Sequence, residues 1–126
     1  VEGGRIAEVG FGDVPKGAGP PVAGGRDALI CPAFLDAHNH LPQFGSVGCD
    51  GMPLLEWLRT VIFPAEGWWG RGMALSAARG SVRRLATAGT CGFAGYLTSH
   101  GEAAREVLGY LAGTPLRWIA GRVAMD

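Results

Sequence analysis

The sequence has no net charge to offer a polyanion: 11 Lys and Arg balance 11 Asp and Glu across 126 residues, with no basic block among them. Nucleic acid and anionic membrane surfaces are therefore not expected partners. No apolar run approaches the roughly 20 residues of a membrane span, and no secretory signal is visible, which points to a soluble, cytoplasmic chain. Cysteine is scarce. Cys31, Cys49 and Cys91 are odd in number and form no C-x-x-C pair, so neither a disulfide framework nor a thiolate zinc knuckle is indicated, and a reducing compartment fits. The Gly-rich phosphate-binding turn of a dinucleotide fold is missing as well.

What is present is a core-forming composition, 48% hydrophobic, sized for one domain at most. Gly4-Arg5-Ile6-Ala7-Glu8-Val9 reads as a short strand, and the Gly/Pro-rich segment from Gly12 to Gly25 reads as a loop. Ala28-Leu29-Ile30-Cys31 is a second short apolar run, stopped by Pro32. Beyond the run Phe34–His40 the period changes. Leu54, Leu55, Leu58, Val61 and Ile62 fall at helical spacing, with Pro53 suited to a first turn and Pro64 ending the pattern. A second helix is expected from about Met73 to Ala88, with Leu75, Ala78, Val82 and Leu85 on one side and Gly89 as a left-handed stop. Thr90–Leu97 reads as a strand. Ser99 and Glu102 have the spacing of a capping box ahead of Ala104, Val107, Leu108 and Leu111, and Leu116–Met125 reads as a further strand. Strands alternating with helices through short connections require a parallel sheet covered by helices.

The run Phe34-Leu35-Asp36-Ala37-His38-Asn39-His40 carries the chemistry. A regular strand turns Asp36, His38 and His40 to one face and Leu35, Ala37 and Asn39 to the other. Neutral imidazoles are suited to zinc and its neighbours, and two of them one residue apart on a strand can close on one ion. Such a pair at the C-terminal end of a first strand is where a (β/α)8 barrel places its active site; a full barrel needs about 250 residues, so the chain reads as an N-terminal part of one.

Pro32-Ala33-Phe34-Leu35-Asp36-Ala37-His38-Asn39-His40 resembles the first-strand signature of the amidohydrolase superfamily. Within that superfamily, His40-Leu41-Pro42-Gln43-Phe44, Leu54-Leu55-Glu56-Trp57-Leu58 and Phe63-Pro64-Ala65-Glu66 are similar to the guanine deaminases. The resemblance implies residues 1–31 as strands of a small β-sandwich with a Gly/Pro-rich loop, and residues 32–126 as the first three strands of a TIM-type barrel. It further implies a zinc enzyme that hydrolyses guanine to xanthine and ammonia, with His38 and His40 as metal ligands, and with His40, Leu41, Pro42 and Gln43 at the purine. The complete enzyme would be a homo-oligomer candidate. The remaining ligands and the proton-transfer group would come from later strands, so the 126 residues alone are expected to be inactive.

Other residues have two readings each. Asp36 is either a carboxylate supporting the histidines or a purely structural hydrogen-bonding group, and Trp57, with Phe44, either walls the pocket or packs in the core. His100 is expected at a helix entry or pocket rim. Glu56 and Glu66 read as a solvated helix face and a helix-end carboxylate. Two positions depart from the family pattern: Ala33 stands where Gly is common, and Asn39 where an apolar residue or Thr is usual, so that a buried amide there needs partners. The competing functions are an amidohydrolase acting on another heterocycle and a truncated, non-catalytic protein that binds metal weakly.

Overall fold

The structure is a computed structural model that describes residues 2–12, 19, 24 and 27–124. The chain divides into two compact units, Val1–Cys31 and Pro32–Asp126.

In the first unit an antiparallel bridge joins Glu2 to Arg5, with Gly3 and Gly4 turning between them at positive φ. The strand expected from Gly4 to Val9 does not form, and Ile6 and Val9 are exposed. Nor does Ala28–Cys31 form one; Leu29 and Ile30 are exposed as well. A strand gains order by pairing its backbone groups, and among the described residues neither segment has a neighbour to pair with. Most of the Gly/Pro-rich segment lies outside the described residues.

The second unit is α/β. Strands β1 (Phe34–His40), β2 (Thr90–Tyr96) and β3 (Arg117–Gly121) make one parallel sheet in that order. Helices α1 (Leu54–Trp57), α2 (Phe63–Trp68) and α3 (Ala74–Thr87) connect β1 to β2, and α4 (Gly101–Ala112) connects β2 to β3. The core lies on one face of the sheet. Ala74, Ala78, Val82 and Leu85 of α3 and Ala104, Val107 and Leu111 of α4 meet Phe93 and Leu97 there. On α3 the spacing of four, four and three residues is one helical stripe. Leu35 and Ile119, by contrast, are 69% and 77% exposed, so part of the sheet's surface is left uncovered.

The first helical stretch differs from expectation. Pro64 does not end it. A π turn, Leu58–Ile62, joins α1 to α2, and Phe63 N–H bonds the Leu58 carbonyl five residues back. Pro64 then falls at the start of α2, where its missing N–H costs no helical hydrogen bond. A kink within Trp69–Met73, where Arg71 and Gly72 leave helical geometry and Gly72 takes φ +81, leads to α3. Gly89, at φ +80, follows the end of α3 as expected. The capping box does not form: α4 is capped at His100 without a side-chain bond, and Glu102 pairs with Arg105 instead. Strand β3 stops at Gly121, short of Met125. No helix among the described residues is long and apolar enough to cross a membrane.

Strand β2 is squeezed between its neighbours. A Cβ on Gly92 would lie 2.6 Å from the Arg117 carbonyl oxygen and 2.9 Å from Leu35 Cδ2. Gly92→Ala is expected to destabilise the fold by about 2 kcal/mol, the overpacking cost where backbone must give way. Gly80→Ala, in α3 with nothing within 4 Å of the added atom, should instead stabilise by about 1 kcal/mol. Thermal unfolding of both variants checks the pair of signs.

Candidate functional site

The parallel register sets the site's position, because it pairs the last residue of β1, His40, with the last residue of β2, Tyr96. The ring centroids of His38 and His40 are 5.1 Å apart and set edge to face. Tyr96 stands over both, 4.9 Å from His40 and 6.0 Å from His38. A cleft of about 400 Å³ opens at this strand end, lined by His38, Asn39, His40, Gln43, Phe44 and Trp57 among others. Trp57 is half-buried there, and its indole N–H donates to the Cys49 carbonyl across the cleft's loop.

Strict alternation along β1 does not hold. Asp36 pairs with Phe93 and Asn39 with Gly95, so three steps on β1 face two on β2 and one residue is extra. Asp36 therefore does not line the cleft with the histidines. Its Oδ1 accepts the His38 N–H at 3.1 Å and its Oδ2 accepts Asn39 Nδ2 at 2.7 Å. Asn39 is buried as expected, and that bond supplies one of its partners, while its Oδ1 has none. Ala33 adopts an ordinary backbone conformation, since no non-glycine residue among those described has positive φ.

The chain turns away from β1 in a 3-10 segment, Leu41–Ser46. Leu41 is 1% exposed and packs in the core, and Pro42 is buried. Both line a second, apolar cleft of about 750 Å³ rather than the histidine cleft, while Gln43 lines the histidine cleft and Phe44 and Ser46 border both. Helix α3 holds this turn in place: Arg84 donates to the Phe44 carbonyl, and the buried Ser81 hydroxyl, which bonds the Ala77 carbonyl within the helix at 2.9 Å, lies 3.4 Å from the Leu41 carbonyl. Gln43 is thereby delivered beside His40, with Nε2 3.2 Å from His40 Nδ1 and 3.4 Å from Glu66 Oε1. With that amide donating, Nδ1 of the neutral ring is the acceptor and the ring proton sits on Nε2. Ligation of a metal through Nε2 requires the other tautomer and an amide turned to offer its oxygen, so the orientation of Gln43 and metal capture are linked.

Glu66 is 6% exposed, not the helix-end carboxylate at the surface that its place near Pro64 had implied. Burial pushes its carboxyl above the ordinary 4.5, while the Gln43 hydrogen bond and the nearby His100 ring pull it partly back. One of its oxygens, Oε2, has no partner among the described residues. Such a group can serve Gln43 either way, accepting from the amide nitrogen as an anion or donating to the amide oxygen as an acid. His40 is shifted too: burial and then the neighbouring His38 lower its pKa, which keeps the ring neutral and its lone pair available. His100 caps α4 and is exposed, and its ring lies so close over Gly70 that a Cβ there would come within 2.7 Å of it. It stands at the helix entry, outside the histidine cleft.

No protein-family model matches the chain. The guanine deaminase of Escherichia coli is 35% identical to it over 105 residues, which are 80% of this chain and 23% of that protein. A 5-methylthioadenosine/S-adenosylhomocysteine deaminase of Syntrophomonas wolfei is 32% identical over 78 residues, 56% of this chain and 18% of that protein. Among solved structures, the guanine deaminase from Bradyrhizobium japonicum matches with a TM-score of 0.69 at 32% identity, over 75% of this chain and 21% of that one. The chain is a guanine deaminase-like amidohydrolase sequence. It spans less than a quarter of the length of these relatives.

Two residues of this guanine deaminase-like segment escaped the sequence reading. Tyr96 was signalled only by the register, which no single strand reveals. Glu66 had a signal that went unused: Ile62, Glu66 and Trp69 are the buried positions of one helical stripe, four and three residues apart, and a carboxylate inside such a stripe is out of place on a solvated face. Reading Pro64 as a helix end cut that stripe in two.

The raised Glu66 carboxyl makes a pH prediction. The native state holds this proton to higher pH than the unfolded chain, so the associated stability is complete below 4.5 and declines as pH rises through the raised value. Glu66→Gln, which cannot ionise, should show no such decline and should gain melting temperature relative to the parent between acid and neutral pH. Parallel melting curves that keep a constant separation across that range would count against a buried, proton-holding Glu66.

Proposed function

We propose that the complete protein carrying this chain is a zinc-dependent deaminase that hydrolyses guanine to xanthine and ammonia, and that its three strands begin a (β/α)8 barrel. The observation that carries the reading is the pair of adjacent imidazoles at the C-terminal end of β1 with the Gln43 amide beside them, in a guanine deaminase-like sequence. A barrel places its chemistry at that end of its strands.

The residues fit a metal as half of its coordination. His38 and His40 would hold it, and among the described residues no group of three or more His, Cys, Asp or Glu side chains completes the set. What zinc supplies in such a site is acidity, bringing a bound water's pKa to about 7. Gln43 would face the purine, where an amide that both donates and accepts suits guanine's mixed polar edge. A pocket built to satisfy that edge disfavours bases that leave its polar groups unpaired. Trp57 and Phe44 would wall the cleft, and Tyr96 would cover the imidazole pair.

In the full-length protein, His38→Ala or His40→Ala should remove bound zinc and lower kcat/KM for guanine by at least 1,000-fold, on the order of the contribution of metal-activated water. Gln43→Ala should keep its zinc and lose roughly 10- to 100-fold in kcat/KM, the scale of one polar contact to substrate. Zinc content by elemental analysis and ammonia release on guanine, adenine and 5′-deoxyadenosine check this. Full turnover in either histidine variant, or turnover of an adenine compound with none of guanine, would overturn the assignment.

A further inference from the structure

We propose that Asp36 is a positioning residue for the metal-binding histidines, clasping the irregular turn of β1 so that His38 and His40 are set for one ion before it arrives. The inference rests on the metal reading above. The extra residue between Asp36 and Asn39 takes the backbone of β1 out of its ladder with β2. A backbone N–H released in this way is free to take another acceptor. The His38 N–H finds Asp36 Oδ1, and the second oxygen of the same carboxylate holds Asn39 Nδ2. One carboxylate thus bonds the residue that carries the first imidazole and the residue between the two imidazoles.

Asn39 is tied to the same carboxylate. The residue is 8% exposed, and its Oδ1 has no partner among the described residues. Leaving a buried polar atom unpaired costs about 1–3 kcal/mol, which offsets what the bond to the Asp36 carboxylate contributes, so stability alone does not account for an amide here. An amide at this place gains only the bond to Asp36. The unusual residue between the histidines is therefore explained as the second arm of the clasp. An ion held by two imidazoles requires both rings to converge. Groups that orient such ligands from behind typically govern affinity by 10- to 100-fold.

The test uses the full-length protein, stripped of metal and titrated with Zn²⁺, with Co²⁺ as a spectroscopic stand-in whose visible absorption reports ligand geometry. Asp36→Ala should bind Zn²⁺ roughly 10- to 100-fold more weakly and give an altered Co²⁺ spectrum. Asp36→Asn keeps an oxygen for the His38 N–H but sets an amide against an amide at Asn39, and should fall between the two. Asn39→Ala severs one arm alone and should weaken Zn²⁺ about 10-fold; it carries the test if Asp36→Ala fails to fold. Parental Zn²⁺ affinity and Co²⁺ spectrum in a folded Asp36→Ala or Asn39→Ala variant would overturn the clasp and leave the metal reading standing. A parent protein that binds no Zn²⁺ would overturn both.

Discussion

The parallel pairing of β1 with β2 is the constraint on which the site depends. It aligns strand ends of the same polarity, so His40 and Tyr96 become cross-strand neighbours and the cleft opens where both strands stop. Close approach is needed to hold that register, and β2 provides it by omitting side chains. Gly92 faces the Arg117 carbonyl and Leu35, and a Cβ on Gly95 would lie 3.0 Å from the Asn39 carbonyl oxygen. The same contact at Gly95 bears on the segment of β1 where the register shifts, so a bulkier residue there would press on the backbone between the two histidines.

From that sheet edge the site is assembled by packing, then by polar contacts. Leu41 follows His40 directly and is buried in the core, which anchors the end of β1 and starts the 3-10 turn in a defined direction. Helix α3, itself buried along one stripe, reaches back with Ser81 and Arg84 to the turn's carbonyls. Gln43 thus arrives at His40 on a rigid support rather than on a free loop, which is the condition for a contact to orient anything. Glu66 reaches the same amide from α2, so three elements converge on one side chain.

Much of this was legible in the sequence, and the parts that were not share a cause. Local periodicity marked α3, α4 and the three strands, since each carries its own apolar pattern and its own stop, such as Gly89. The His-x-His pair was legible for the same reason. Strand order within a segment is local information. Asp36 was misplaced because alternation assumes an unbroken ladder, and the break appears only when β2 lies alongside. Glu66 was misplaced because proline was taken as a terminator, whereas a π turn resets the helix at Phe63 and lets Pro64 open the next piece. Tyr96 depends on register alone. In the first unit the difference ran the other way: an apolar, strand-like pattern from Gly4 to Val9 has, among the described residues, no partner with which to become a strand.

The histidines themselves are held by opposing demands. Neutral rings are needed for ligation, and burial of His40 beside His38 favours neutrality. Neutral rings also have a choice of tautomer, and the amide of Gln43 at Nδ1 biases that choice. Glu66 then biases the amide. A change of proton on Glu66 can therefore be passed to the His40 ring without any movement of backbone, because Gln43 need only exchange the ends of its amide. The bulge in β1 removes the alternative of moving the backbone instead: with Asp36 bonded to both His38 and Asn39, the strand end is braced. What remains adjustable is the orientation of one side chain, the one whose amide would also meet the substrate.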